Sequence, residues 1–475
     1  GPDRRELVAV TAPATVGIPV ARPRRRGAEL RLIVAALLVA AGARAAVELG
    51  VEGRVELSVL WYVAVLGVLF GAAHLAVRRW APYADPTLLP CVAVLVAVGT
   101  AMIHRLDLGI SVAHPGAAQD APVQLAWIAI GTVLFVLLLV SLPDHRALAR
   151  YGYTAGLAGI VLLLLPSLLP ASISEVNGAR AWIRLGPLSF QPSEIAKLLL
   201  MVFFAAFLVQ RRPVLSLVTR SVGPLELPRA RDLGPVLIAW LASMLVLARE
   251  NDFGTALLFF GMFVVMLYVA TERVSWLVIG MVLFAGGATI AYLAFAHVQE
   301  RVEIWLHAFS GNYPNDQSYQ LVQGLFGFAT GGVLGTGLGR GQPQIVPIAR
   351  TDFIFASLGE ELGLVGVMGI LIVYALLVSR GFRASIGVRD SFGKLLAAGL
   401  SVSMALQVFV VVGGVMRVIP LTGLTLPFVS YGGSSVVANF VLVALLVRIS
   451  DAGRRPASWP VADPASALQP SEVRA

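Results

Sequence analysis

Ionisable side chains inside or at the edge of long apolar runs are where this 475-residue sequence concentrates its chemistry. A charge in such a place is costly, so its depth and its neighbours are informative. Glu194 and Lys197 stand three apart at the start of one run, and that spacing puts both on one helical face, as an ion pair requires. Lys197 is one of two lysines in a chain that otherwise uses arginine, so a compact, adjustable ammonium is wanted there. Locking two helices and binding substrate are equally open roles for the pair. Asp252 closes the turn Arg249-Glu250-Asn251-Asp252 directly before a second run, and Asp352 precedes a third in the same way. From position alone each is a helix cap. Glu360 and Glu361 cannot cap. They lie about 12 Å beyond that helix start and point about 100° apart, so at least one faces the bundle interior or a wet cavity. Ser430, Tyr431 and Gly432 follow Pro427 and precede Gly433, a pattern that breaks a helix at membrane depth. The run Gly335, Gly337, Gly339, Gly341 superficially resembles a phosphate-binding loop, but without a strand-turn-helix context it reads as a flexible loop.

The elements that must position these residues are membrane spans. Apolar residues make up 57% and charged residues 13% of the chain, with a mean hydropathy of +0.82. Soluble domains carry about 25% charge. Runs of about 20 apolar residues place spans at roughly 30–49, 57–77, 87–103, 123–142, 151–170, 192–209, 232–248, 254–270, 274–296, 353–379, 394–416 and 427–449. Arginines cluster in alternate connections, around Arg24-Arg25-Arg26, Arg78-Arg79, Arg146, Arg211-Arg212 with Arg220, and Arg380 with Arg383. Those connections face the cytoplasm, which puts both termini inside and the polar residues above in the outer third of the bilayer. The net charge of +9 is thereby explained without nucleic acid. The single cysteine, Cys91, lies in an apolar run and excludes an internal disulfide, and the six histidines show no metal-binding spacing. Gly1-Pro2 resembles a protease-cleavage scar, and the stretch to Gly27 reads as a disordered cytoplasmic tail. The outer segment 296–352 is far longer than a connector, and Leu321, Val322, Leu325, Phe326 and Phe328 within it recur at helical spacing. A helix in the membrane interface and a packed cap over the bundle fit equally. Together these features imply one polar cavity, open outward and walled by several helices.

Five motifs in order then carry a resemblance. They are Asn177 to Ile183 with Gln191-Pro192-Ser193-Glu194-Ile195-Ala196-Lys197; Asp252-Phe253-Gly254-Thr255; Thr351-Asp352-Phe353-Ile354-Phe355-Ala356; Gly359-Glu360-Glu361-Leu362-Gly363; and Leu426 to Ser435. Over about residues 87–450 the chain resembles the SEDS family (shape, elongation, division and sporulation), and Val412 to Gly423 is most similar to its actinobacterial RodA branch. The division branch, FtsW, shares most other motifs. The resemblance implies an all-α, polytopic bundle with a ten-helix core at 87–450, which with the spans placed above makes about 12 helices and leaves a large outer loop between the ninth and tenth. Two additional helices at 30–86, a tail at 1–29 and a C-terminal cytoplasmic tail at 451–475 surround that core. Asn251 and Arg350 depart from the family, which often has Pro and His there.

What the resemblance implies chemically is polymerisation of lipid II into peptidoglycan strands, alongside a class B penicillin-binding protein that cross-links them. A GlcNAc 4-hydroxyl attacks the anomeric carbon of a MurNAc held on undecaprenyl pyrophosphate. An α-linked donor and a β-1,4 product mean inversion, which needs a base on the hydroxyl and positive charge on the departing pyrophosphate. The resemblance turns Asp252 from a cap into the expected general base. Arg249, Arg180, Arg184, Arg340, Arg350 and Lys197 are the candidate cations. A divalent cation such as Mg or Mn can share that work on Asp352 or Glu360. A lipid II flippase and a non-catalytic scaffold are the competing readings, and the concentration of polar residues near one face argues against the flippase.

Overall fold

The computed structural model describes residues 25–456 except 114–115, 176–179, 186–187, 216–219, 223–224, 228–237, 239, 243, 246–251 and 311–312. Long helices dominate, because a chain in lipid must satisfy its own backbone groups. In order they are α1 (Arg26–Glu52), α2 (Ser58–Trp80), α3 (Leu88–Ala113), α4 (Ala121–Ser141), α5 (Gly152–Leu168), α6 (Pro192–Leu215), α7 (Phe253–Thr271), α8 (Ser275–Ala294), α9 (Ala296–His307), α10 (Tyr319–Gly331), α11 (Ile354–Gly387), α12 (Ser391–Val415) and α13 (Gly433–Arg454). Among the described residues ten are long and apolar enough to cross a bilayer, and α5, at 17 residues, is shorter. The span expected at 232–248 lies largely outside the described residues. Two antiparallel hairpins in the connectors amend the all-α expectation: β1 (Ile183–Leu185) with β2 (Leu188–Phe190), and β3 (Arg220–Val222) with β4 (Leu225–Leu227).

The core is built on α3, α6, α12 and α13, which are buried along most of their length, whereas α8 buries only Gly280. The first two helices are packed into the bundle, α1 against α3 and α2 against α4. Buried polar groups fasten them. Glu29 pairs with Arg26 and hydrogen-bonds His74 Nδ1 at 2.7 Å, joining α1 to α2. At their other end Glu48 takes the Arg44 Nε at 3.0 Å and the Ser58 hydroxyl at 2.9 Å. There Gly50 meets Leu338 and Gly339 so closely that a Cβ on Gly339 would stand 2.7 Å from the Val47 carbonyl. The extra helices therefore touch the long 296–352 segment directly.

Two expectations change on contact with the structure, and one left open between two readings is narrowed. The last span begins at Gly433, not 427, because residues 425–432 form an irregular turn with Phe428 at φ 65°. The 296–352 segment holds two helices, and α10 is a packed cap: Leu321 and Val322 are buried against α11 while Phe326 is exposed. Finally, α11 is broken at Gly363, whose φ of 66° and ψ of −172° only glycine adopts readily. The chain at 332–337 repairs the break. Gly332 and Val333 carbonyls accept from Leu364 and Val365, and the Glu360 and Glu361 carbonyls accept from Thr336 and Gly337, all at 3.0–3.1 Å. Irregular backbone at membrane depth is tolerated because protein satisfies it.

Candidate functional site

Asp252, Arg301 and Asp352 converge at the end of the bundle where α7 and α11 begin. Asp252 caps α7, accepting from the Thr255 amide at 3.1 Å, and it also takes the Thr255 hydroxyl at 2.7 Å and the Gln191 amide at 3.1 Å. Burial pushes its carboxyl above the ordinary range; the Thr255 bonds and Arg301 oppose that shift, and Glu194 adds to it. Asp352 was expected to cap α11 and does not. That helix starts at Ile354, with no side chain on its first amides, and Asp352 instead accepts from the Thr351 hydroxyl at 2.6 Å. Burial raises its carboxyl too, against the pull of Thr351 and Arg301. Arg301, on α9, interacts electrostatically with both aspartates and donates to the Leu421 and Thr422 carbonyls at 3.1 and 3.0 Å. Its guanidinium supplies positive charge to both carboxylates. Among the described residues no group of three or more His, Cys, Asp or Glu side chains gathers to hold a metal.

Beneath this centre Glu194 and Lys197 form the expected pair at 2.6 Å, both buried, at 6% and 1% exposure. Lys197 also donates to Gln407 on α12 at 2.9 Å, and Gln407 donates to the Thr425 carbonyl at 3.0 Å. The pair thus ties α6 to the irregular turn before α13. That turn grips the strip that leads into Asp352. Ser430 hydrogen-bonds the Thr351 carbonyl, Tyr431 donates its amide to the Arg350 carbonyl at 2.8 Å, and Gly432 donates to Gln124 at 3.2 Å. Arg350 adds an ion pair to Asp120 and lies 6.0 Å from the Tyr431 ring. Burial, and then Asp120, push the Tyr431 hydroxyl up to about 12, so it stays a donor.

The remaining sequence candidates divide. Glu361 is a structural group: it pairs with buried Arg105 on α3 at 2.7 Å and takes the Gly339 amide at 2.9 Å. Glu360 accepts the Gln342 amide at 2.6 Å but keeps its other oxygen toward a cavity. Both therefore fasten the glycine-rich segment, and both face inward. Arg180 is exposed and pairs with Glu175 at 3.3 Å, Arg184 and Arg340 are exposed, and Arg249 lies outside the described residues. Sequence reasoning missed Arg301, Arg105, Asp120, Gln191 and Gln407. None of these left a sign in local spacing, including Arg301, which stands between Glu300 and Val302 in the helix Ala296–His307.

Residues 86–455 match the family model of the FtsW, RodA and SpoVE cell cycle proteins. Peptidoglycan glycosyltransferase RodA of Mycobacterium tuberculosis H37Rv is 51% identical over 449 residues, 94% of each chain. The protein of the same name from Mycobacterium leprae is 49% identical over 442 residues, covering 91% of this chain and 92% of its own. Among solved structures, a chain from a peptidoglycan synthase complex that coordinates polymerization and crosslinking superposes with a TM-score of 0.61. It is 28% identical, across 77% of this chain and 97% of that one. The chain belongs to the SEDS family of FtsW, RodA and SpoVE cell cycle proteins.

Proposed function

We propose that the chain is a peptidoglycan glycosyltransferase of the RodA kind, which polymerises lipid II into glycan strands during cell elongation. The observation that carries this reading is Arg301 between two half-buried aspartates at one end of the bundle. One carboxylate can take the proton of the attacking 4-hydroxyl while the guanidinium stabilises charge on the pyrophosphate, whose oxygen keeps the electron pair of the broken anomeric bond. The family places this chemistry outside the cytoplasmic membrane, and the arginine pattern supports that orientation, with twelve spans and both termini inside. Lipid II as substrate and a class B penicillin-binding protein as partner belong to the same reading. The peptidoglycan synthase complex supports the partner.

Two carboxylates compete for the base. Family resemblance favours Asp252. Geometry favours Asp352, because Asp252 already accepts three hydrogen bonds from neighbouring residues on its two oxygens, while Asp352 accepts only from the Thr351 hydroxyl and its own backbone amide and caps nothing. Each lone pair already engaged is one less for a hydroxyl. We therefore assign the proton to Asp352 and a positioning role to Asp252. Asp352→Asn is expected to lower polymerisation by about 10²–10⁴-fold, the range for a lost general base. Asp252→Asn keeps its cap and is expected to lose less. Polymerisation rates of the two purified variants decide it, and the opposite order returns the base to Asp252. Because burial raises both carboxyls, activity should rise with pH along an acid limb centred above the ordinary aspartate range.

A further inference from the structure

Beside the break in α11, the chain at 332–342 encloses a cavity of about 270 Å³ with α10 and the first turns of α11. Its polar walls are Gln323 and Thr330 of α10, Thr336, Arg340 and Gln342 of the loop, and Glu360 of α11. Glu360 is buried, and a Cβ on Gly327 would stand 3.4 Å from its Oε2, so a glycine keeps this wall open. The side chains of Gln323, Arg340 and Gln342 engage no partner among the described residues, and the apolar edge of Phe326 completes the rim.

We propose that this cavity is a second carbohydrate subsite, which holds a neutral N-acetylhexosamine ring next to the sugar that reacts. The proposal rests on the glycosyltransferase reading and extends it. Two primary amides that both donate and accept, a carboxylate, and two threonine hydroxyls that can accept while donating to the Phe326 and Glu360 carbonyls match the alternating donors and acceptors of sugar hydroxyls and an acetamido group. A buried carboxylate facing one exposed arginine is a poor home for a pyrophosphate, which would be repelled by Glu360. The volume approaches the lower end of small-molecule sites, about 300 Å³. The position fits as well. Glu360 lies six residues into α11, about 9 Å at 1.5 Å per residue, and that helix begins two residues after Asp352, close enough for one strand to reach both.

The test uses the full chain in lipid nanodiscs and tri-N-acetylchitotriose, a soluble β-1,4-linked oligomer, with binding read by saturation-transfer NMR. The parent protein is expected to bind it. Gln323→Ala and Thr330→Val should each weaken binding roughly threefold to tenfold, as loss of one hydrogen bond does. Both positions flank the cavity on the same face of α10 as Gly327, and neither is itself buried, so unchanged unfolding temperatures would verify intact folds. Asp352→Asn should bind like the parent. In polymerisation the two cavity variants should raise the lipid II concentration at half-maximal rate while largely preserving kcat. Absence of binding to the parent, or binding that both cavity variants leave intact, overturns the subsite. Since binding is read without turnover, a parent that polymerises yet does not bind rejects the subsite alone. A parent that binds yet does not polymerise rejects only the catalytic reading.

Discussion

At the scale of single residues, the sequence exposed the polar groups through their cost and the structure distributed the work among them. Glu194 and Lys197 were legible because two opposite charges three apart on an apolar helix have few other arrangements. Breaking such a pair strands a charge and costs about 3–5 kcal/mol. Glu194→Gln and Lys197→Met should each destabilise the protein, Lys197→Met more, since Gln407 also loses its donor. The double variant should cost less than the sum, and strictly additive unfolding losses would show that the side chains do not interact. Asp352 was misread as a cap because position alone cannot tell a capping carboxylate from one aimed elsewhere. Arg301 was not legible at all. Its importance lies in reaching aspartates about 50 residues away on either side of it, and long-range proximity leaves no trace in local spacing.

At the scale of elements, hydropathy located ten spans among the described residues, since a helix that crosses lipid needs an unbroken apolar run of known length. It failed where one helix is interrupted. Gly363 sits in an apolar run that reads as continuous, yet its backbone is left-handed and a Cβ there would collide with the amide of Gly335. Gly363→Ala is expected to destabilise the protein by more than the ~1 kcal/mol of an ordinary glycine replacement. Thermal unfolding in detergent measures this, and a variant as stable as the parent would mean that the loop does not insert beside α11. The same insertion explains why Glu360 and Glu361 both face inward, an outcome that helical geometry left undecided. The glycine run, read as flexible, has three members at positive φ and is pinned by Glu361 and Gly50.

At the scale of the whole molecule, fold class and family were legible because ordered motifs spread over most of the chain are hard to assemble by chance. The placement of the two N-terminal helices was not, because nothing in their composition specifies contact with Gly339. Orientation is testable directly: an impermeant thiol reagent on intact cells should label a cysteine placed at 315 and not one at 220. The reverse pattern would move the aspartates to the cytoplasmic side and remove them from the reaction. The claim on which everything else depends is that this bundle itself makes glycan from lipid-linked sugar. Purified chain, supplied with lipid II and a class B penicillin-binding protein of the same organism, should yield a ladder of glycan strands on a gel. The ladder should vanish when Asp352→Asn replaces the parent and persist when the partner's transpeptidase is blocked. Strands formed equally by the Asp352→Asn, Asp252→Asn double variant would contradict the account, because polymerisation would then arise outside the site around Arg301.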